Sequence, residues 1–229
     1  MVLLFGTMGD IARVAEAALA IEHIKAVHVD FPQNLFRDEP GYRRELNRAI
    51  EKYNPDVIIP IGHPLALSRM KEELSQRGIR AVVEKEPLIR LLDSKVAFST
   101  LVAELGITQP EIYASADDVP ADCKVVFKRD VSFGGHGVHL PKSREALYNL
   151  IDHQSPGEPY LIEEFIDGED YSVDAFRCGF DFKVDSNGHA YILEANPRFT
   201  AGLATQIERG FNIPYLALSS GSIISGNLR

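Results

Sequence analysis

The sequence predicts an α/β domain over residues 1–84, followed by an α+β domain over residues 85–229. In the first part, short apolar strands alternate with amphipathic helices, which is typical of a parallel sheet covered on both faces. Beyond Pro110 the predicted strands become more frequent and lie closer together, which is typical of an antiparallel sheet. A chain of 229 residues is long enough for one large domain or two small ones.

The N-terminal part has apolar runs that predict strands at residues 2–5, 24–31, 57–60 and 79–83. Between them, apolar residues recur with helical spacing at 11–18 and 43–53. Strands of this kind, joined by helices, are expected to pair in parallel.

The C-terminal part begins with a predicted helix at residues 95–105. Strands are then expected at 124–128, 136–140, 159–165, 171–176, 180–184 and 190–195. A helix at 143–152 interrupts them, and Asn187-Gly188 marks a hairpin turn. The end of the chain, residues 201–220, is expected to be helical with a break at Pro214.

Composition and charge exclude several classes of protein. The formal net charge of −9 argues against a nucleic-acid partner, which needs a basic surface. No apolar run reaches about 18 residues, so no membrane span is expected. The first residues lack the basic region of a signal peptide and are expected to form a strand. The two cysteines, Cys123 and Cys178, do not have metal-site spacing, and a cytoplasmic location is expected.

A glycine-rich segment follows the predicted strand that ends at Lys128. Gly134, Gly135 and Gly137 allow backbone N–H groups to surround phosphate oxygens, and the lysine adds a positive charge. The segment is not a Walker loop, because no Gly-Lys-Ser/Thr follows. The alternative is a glycine-rich hairpin with a lysine at the surface.

Lys95 is the second basic candidate. It lies in the first turn of the predicted helix 95–105, where the helix dipole disfavours a cation. Such a lysine is either solvated or meets an anion together with the helix N-terminus. Taken alone, this position favours a solvated lysine.

Acidic residues gather at two strand ends. Glu163 and Glu164 lie near the end of the predicted strand 159–165, where backbone groups can pair with the edge of a purine; solvated acids are the common alternative. Asp181 and Glu194 lie on two strands that the Asn-Gly turn joins.

The second of these groups has the chemistry of a magnesium site. Strand alternation puts Glu194 and Asn196 on one face, and hairpin pairing can bring Asp181 to the same face. Two carboxylates and an amide oxygen suit Mg²⁺. Arg198 adds a planar cation suited to a phosphoryl group or a carboxylate. A structural ion-pair network is the alternative.

In combination, these motifs resemble the ATP-grasp superfamily, and within it the branch of carbamoyl-phosphate synthase large subunits, biotin carboxylases and carboxylate–amine ligases. The resemblance rests on the Lys128 strand with its glycine loop, on Ser172-Val173-Asp174, on Asp181, and on Glu194 with Asn196-Pro197-Arg198. It spans nearly the whole chain.

The resemblance implies a Rossmann-like domain over residues 1–84. It implies an ATP-grasp domain of two lobes over residues 85–229, with a largely antiparallel sheet and ATP between the lobes. The turn at residues 6–9 lacks the full G-x-G-x-x-G, so NAD is not expected. This turn and His63 are placed near a carboxylate substrate, although simple packing of His63 beside Pro64 is favoured.

The resemblance also implies a role for each candidate residue. Arg198 and Lys128 are expected to be catalytic. The ATP-binding residues implied are Lys95, Lys128, Gly134, Gly135, Gly137, Glu163, Glu164, Phe165, Ile166 and Glu169. One or two Mg²⁺ ions, with Mn²⁺ as a substitute, are expected on Asp181, Glu194 and Asn196.

The function implied is an ATP- and Mg²⁺-dependent ligase of the carbamoyl-phosphate synthase type, which joins a small carboxylate to an amine or ammonia through an acyl phosphate. The alternatives are a carbamoyl-phosphate synthase component that acts on bicarbonate with a partner subunit, and a nucleotide-binding module without catalysis. The resemblance leaves the oligomeric state open, with a homodimer as one alternative because relatives are often dimers.

This sequence departs from the family pattern at one junction. Asp174 and Asp181 are almost adjacent, whereas many more residues normally separate these two positions. Either the chain is shortened, or the sequence lacks a segment near 177–180; we expect the second. Asp181 is also shorter than the Glu or Gln of many relatives, so its metal contact could pass through water.

Overall fold

A computed structural model describes residues 1–31, 38–132, 135–175, 178–200 and 202–223 of the chain. It forms two compact units. The first unit contains Met1–Arg90, Val173–Gly179 and the described part of Asn196–Arg229, and the second contains Leu91–Ser172 and Phe180–Ala195. Both units are discontinuous along the chain, so they are not the same division as the domains 1–84 and 85–229, which stay a prediction.

The elements in the described residues are as follows. The strands are β1 (Val2–Gly6), β2 (Ala26–Val29), β3 (Val57–Ile61), β4 (Arg80–Ala81), β5 (Ile112–Tyr113), β6 (Val125–Arg129), β7 (Val138–His139), β8 (Tyr160–Glu164), β9 (Gly168–Ala175), β10 (Cys178–Asp185) and β11 (Ala190–Asn196). The helices are α1 (Gly9–Ile21), α2 (Glu39–Tyr53), α3 (Pro64–Arg69), α4 (Lys71–Gln76), α5 (Glu86–Asp93), α6 (Lys95–Glu104), α7 (Arg144–Asp152), α8 (Leu203–Glu208) and α9 (Ile213–Ile223).

The first unit is built on a parallel sheet with the strand order β2-β1-β3-β4. Every residue of β1 is buried, because the sheet is covered on both faces. Leu3 and Phe5 pack in one hydrophobic cluster with α2 and α3, whereas Val2 and Leu4 pack in another with α1, α8 and α9. The predicted parallel sheet with two covered faces is therefore present in this unit.

The second unit contains antiparallel strands in the order β5-β8-β6-β7. Phe127 and Ile162 of this sheet pack with Leu147 of α7 in a core of their own. A further sheet has the order β11-β10-β9. The turn between β10 and β11 is the predicted one: Gly188 has φ +83°, and its N–H donates to the carbonyl of Asp185 at 3.0 Å. The prediction of a largely antiparallel C-terminal part is confirmed.

The strand β9 is followed directly by β10, its neighbour in the sheet. Only residues 176 and 177, which lie outside the described ranges, separate the two strands. The short connection between Asp174 and Asp181 therefore joins two adjacent strands.

Several boundaries differ from the prediction. The helix α5 forms in a stretch for which the sequence predicted no element, and β7 is shorter than the predicted strand 136–140. The predicted break at Pro214 is wrong: this proline is the second residue of α9, a first-turn position where its missing N–H costs nothing. The break lies earlier, around Gly210, which has φ +90°. No helix in the described part of the chain combines the length and hydrophobicity needed to cross a bilayer.

The turn after β1 shows why its first glycine is needed. A Cβ at Gly6 would lie 1.7 Å from the carbonyl oxygen of Ile61 on the neighbouring strand β3. Gly6 therefore serves the close approach of two central strands. Gly9, three residues later, begins α1, and a Cβ there would meet only ordinary contacts at 3.9 Å or more.

We expect Gly6→Ala to lower the free energy of unfolding by about 3 kcal/mol or more, because the new methyl group would collide with backbone and not with a flexible side chain. Gly9→Ala is the matched control, and it should be neutral or stabilising by up to about 1 kcal/mol. Urea unfolding of both variants tests this. Similar stabilities for the two variants would contradict the packing role of Gly6.

Candidate active site

The second unit contains a cluster of four charged side chains, Lys95, Lys128, Glu163 and Glu194, which we call the charged cluster. The first three are only 5%, 5% and 3% exposed. Lys128 forms a salt bridge with Glu163. The Nζ atom of Lys95 lies 3.4 Å from Oε2 of Glu194, whose side chain is 31% exposed. Buried lysines are rare in proteins, so this arrangement is unusual for a purely structural site.

The register of two strands explains why Lys128 meets Glu163. In the antiparallel pair β6–β8, Lys128 lies opposite Leu161 and Val126 lies opposite Glu163. Alternate residues share a face, so Lys128 and Glu163 are diagonal neighbours on one face of the sheet. Phe127, which lies between Val126 and Lys128 on β6, points to the other face of the sheet and into the core of the unit.

The start of α6 explains the position of Lys95. Ser94 caps this helix by accepting a hydrogen bond from the N–H of Ala97 at 3.0 Å, so Lys95 is the first helical residue. Its ammonium donates to the carbonyl and hydroxyl oxygens of Ser132, at 3.1 and 3.2 Å. The expectation of a solvated Lys95 is therefore wrong, because protein oxygens take the place of water.

The alternatives of a surface Lys128 and a solvated Glu163 are also wrong, since both side chains are buried. Burial raises the pKa of the Glu163 carboxyl, and the charge of Glu194 raises it further, while Lys128 and Lys95 oppose this rise. The other three members of the charged cluster thus all act on the Glu163 carboxyl. The formal charges of all four members cancel, which makes burial of the group tolerable.

The expected purine-edge segment lies at the end of β8. The N–H groups of Glu164 and Phe165 donate to the carbonyls of Glu111 and Lys124, at 2.8 and 2.9 Å. These two donors are thus engaged within the unit, and purine binding by residues 163–166 stays a prediction. Glu169, expected near the ribose, accepts a hydrogen bond from the hydroxyl of Tyr171 at 2.8 Å.

The glycine loop is described in part. Gly134 lies outside the described residues. Gly135 and Gly137 have φ values of +75° and +78°, in the left-handed region that favours glycine. At Gly137 a Cβ would lie 2.9 Å from Cδ of Arg129, so this loop folds closely against the end of β6. Phosphate binding by these glycines stays a prediction.

The proposed metal ligands lie on neighbouring strands. Asp181 is on β10, and Glu194 and Asn196 are two residues apart on β11. Within the described residues, no group of three or more His, Cys, Asp or Glu side chains forms a metal-binding cluster. The predicted set has two carboxylates and one amide, and its coordination of Mg²⁺ stays a prediction.

Arg198 and His63 are both in the first unit. Burial and the charge of Arg198 lower the pKa of His63 to about 4, so this imidazole is uncharged at neutral pH. A small, mostly apolar recess in the same unit is lined by Arg198 together with Ile59, Pro60, Val82, Val83, Pro197 and Phe199.

The structure gives Asp174 a role that the motif alone did not. Its buried carboxylate accepts hydrogen bonds from the N–H and the hydroxyl of Thr200, at 3.2 and 2.9 Å. A Cβ at Gly179 would lie 2.2 Å from the methyl carbon of Thr200. The Ser-Val-Asp motif therefore ends in a packed junction that ties β9 to the segment after β11.

No family model and no curated protein matches the sequence. The structure, however, is similar to many solved structures, of which three are representative. They are the biotin carboxylase domain of 2-oxoglutarate carboxylase from Hydrogenobacter thermophilus (TM-score 0.68, 14% identity, covering 99% of this chain and 70% of that one), an L-amino acid ligase from Bacillus licheniformis (0.67, 13%, 95% and 73%), and a RimK-domain ATP-grasp protein from Sphaerobacter thermophilus (0.61, 13%, 94% and 97%).

These matches cover nearly the whole chain at low sequence identity, so they define the fold. The chain has the ATP-grasp fold, as the sequence motifs predicted.

The buried pair in the charged cluster predicts a pH-dependent stability defect. We expect Lys128→Met to lower the free energy of unfolding by about 3 kcal/mol at a pH of about 8, because it leaves the Glu163 carboxylate buried without its partner. The defect should be smaller at a pH of about 5. The pKa of Glu163 is already raised in the folded state and rises further without Lys128, so the carboxyl then takes up a proton and becomes neutral.

Urea unfolding at both pH values measures this. The double variant Lys128→Met/Glu163→Gln is the control, and it should recover most of the loss because no unpaired charge remains. An equal defect at the two pH values, or no recovery in the double variant, would show that the pair does not bury a charge as described.

Proposed function

We propose that the protein is an ATP- and Mg²⁺-dependent ligase that activates a small carboxylate as an acyl phosphate and joins it to an amine. The charged cluster carries this proposal. In it, two buried ammonium groups are held by two carboxylates on an ATP-grasp fold, at the positions that the sequence motifs assigned to nucleotide phosphates.

The chemistry of the charged cluster suits a triphosphate. Lys95 and Lys128 offer point charges in a poorly solvated site, where attraction to phosphate oxygens is stronger than in water. Both lysines are already buried and held in place by the unit, so no large rearrangement is needed to bury them. The donors for a metal are hard oxygens on Glu194, Asn196 and Asp181, as Mg²⁺ prefers. When bound, Mg²⁺ would neutralise charge on the phosphates.

The reaction proceeds in two displacements. An oxygen of the carboxylate attacks the γ-phosphorus of ATP, the bond to the β,γ-bridging oxygen breaks, and ADP leaves with the electron pair. The amine nitrogen then attacks the acyl carbon, the carbon–oxygen bond breaks, inorganic phosphate leaves, and the amine loses a proton to water. Positioning and charge stabilisation provide the rate enhancement, and no covalent protein nucleophile is needed.

Each candidate residue has its own role in this reaction. Lys95 and Lys128 hold the phosphates and stabilise the charge that moves to the β,γ-bridging oxygen. Arg198 provides a permanent cation for the carboxylate or the acyl phosphate. Residues 163–166 would bind the purine, and Glu169 would bind the ribose. His63, with its pKa lowered to about 4, stays neutral and so does not compete with Arg198 for the anion.

Bicarbonate is the second candidate for the activated acid. The 2-oxoglutarate carboxylase domain that resembles this chain was crystallised with MgADP and bicarbonate, whereas another similar structure is an L-amino acid ligase. These similarities support both a carbamoyl-phosphate synthase-like reaction and an amino-acid ligation, and the acid screen below separates them.

We expect ADP release to depend on a carboxylate. A coupled ADP assay of the full chain should be run with MgATP, a panel of amino acids, small organic acids and bicarbonate, each with and without amines, and with mass detection of the product. Turnover with one acid–amine pair supports the ligase. ATP binding without ADP formation under any pair would support a nucleotide-binding module instead.

Glu194→Gln should lower MgATP turnover by about 100-fold or more, because it removes a negatively charged oxygen from the metal and phosphate site while keeping the shape of the side chain. Glu194 is 31% exposed, and circular dichroism of the variant checks that it stays folded although Lys95 has lost its carboxylate partner. Glu158→Gln is the matched control: Glu158 is an exposed glutamate of the same unit that lies outside the candidate site, so turnover should stay near wild type. Equal effects of the two variants would refute the site assignment.

A further inference from the structure

We infer that Asp130 is a positioning residue for Lys95, and that it fixes the position of Lys95 relative to Lys128 in the charged cluster. This inference rests on the proposed nucleotide site. Asp130 follows β6 directly and lies two residues after Lys128. It carries no role in the motif from which the site was assigned.

Asp130 uses its side chain to hold the start of α6. Its Oδ1 atom accepts hydrogen bonds from the hydroxyl of Ser94 at 2.8 Å and from the N–H of Val96 at 2.9 Å. Ser94 itself caps the helix, so the carboxylate supports both the cap and the first turn. A carboxylate at a helix N-terminus is also favoured by the helix dipole.

The backbone of Asp130 adds further contacts with neighbouring elements. Its carbonyl accepts a hydrogen bond from the N–H of Lys95 at 3.3 Å, and the ammonium of Lys95 lies 3.4 Å from the same oxygen. Its N–H donates to the carbonyl of Pro159, just before β8. Asp130 thus joins the ends of three elements, α6, β6 and β8, at one residue.

This junction has a consequence for Lys95. The first turn of a helix is an unfavourable place for a buried ammonium, because the dipole repels it. The negative charge of Asp130 offsets that repulsion at the point where the chain enters α6. Lys128 lies on β6 and Glu163 lies on β8. The same junction therefore keeps Lys95 at a fixed position relative to the Lys128–Glu163 pair.

Loss of the Asp130 carboxylate should weaken the binding only of ligands that carry phosphate groups. Asp130→Ala should weaken binding of MgATP by about 10- to 100-fold, because a displaced Lys95 no longer meets the phosphate charge. Binding of adenosine, which has no phosphates, should change little. Asp130→Asn keeps an oxygen acceptor for Ser94 and Val96 but loses the negative charge, so it should recover part of the MgATP affinity.

The test is calorimetric titration of the full chain and its variants with MgATP and with adenosine, together with amide hydrogen exchange at residues 95–97. Ser143→Ala is the matched control: it removes the cap of α7, where the Ser143 hydroxyl accepts from the N–H of Ala146 at 3.1 Å, without touching α6. Its MgATP affinity should equal that of wild type.

Faster exchange at residues 95–97 in Asp130→Ala, with a loss of MgATP affinity and unchanged adenosine affinity, supports the inference. Unchanged exchange overturns it, and so does an equal loss for both ligands, which indicates general destabilisation. Wild-type protein that binds no MgATP overturns the proposed function and with it the phosphate-positioning role. Faster exchange with unchanged MgATP affinity overturns the positioning role alone.

Discussion

The burial of two lysines beside two carboxylates is the constraint on which the second unit depends. Each ammonium is acceptable in the interior because a carboxylate neutralises it, and for Lys95 also because backbone and hydroxyl oxygens accept its hydrogens. Lys128 has Glu163, and Lys95 has Glu194 and the Ser132 oxygens. A structure that needed only stability could fill such positions with apolar side chains, so the four charges support the proposed phosphate site.

The first unit meets a different constraint. Its sheet is covered on both faces, so the two central strands, β1 and β3, are apolar throughout. The close approach of these two strands requires a residue without a Cβ at Gly6. The same packing requirement recurs at the Asp174–Thr200 junction, where Gly179 leaves room for the threonine methyl. Some residues of the sequence motifs in this unit, such as Asp174, therefore have a packing role.

Local patterns in the sequence predicted the parallel sheet, the antiparallel part and the β10–β11 turn, because strand periodicity and an Asn-Gly pair act over a few residues. Pro214 was misread because a proline breaks a helix in its interior but is tolerated in its first turn. The burial of Lys95 could not be predicted, since its partners come from two distant segments: Glu194 on β11, and Asp130 and Ser132 in the segment that follows β6. Asp130 was missed for the same reason, because an aspartate after a strand has no local signature of a helix clamp.

Whether the charged cluster binds phosphates is tested most directly by a crystal structure of the full chain with Mg²⁺ and a non-hydrolysable ATP analogue. We expect phosphate oxygens within hydrogen-bonding distance of Nζ of both Lys95 and Lys128. A nucleotide bound elsewhere, with the Lys95–Glu194 and Lys128–Glu163 pairs intact and remote from any phosphate, would contradict the account.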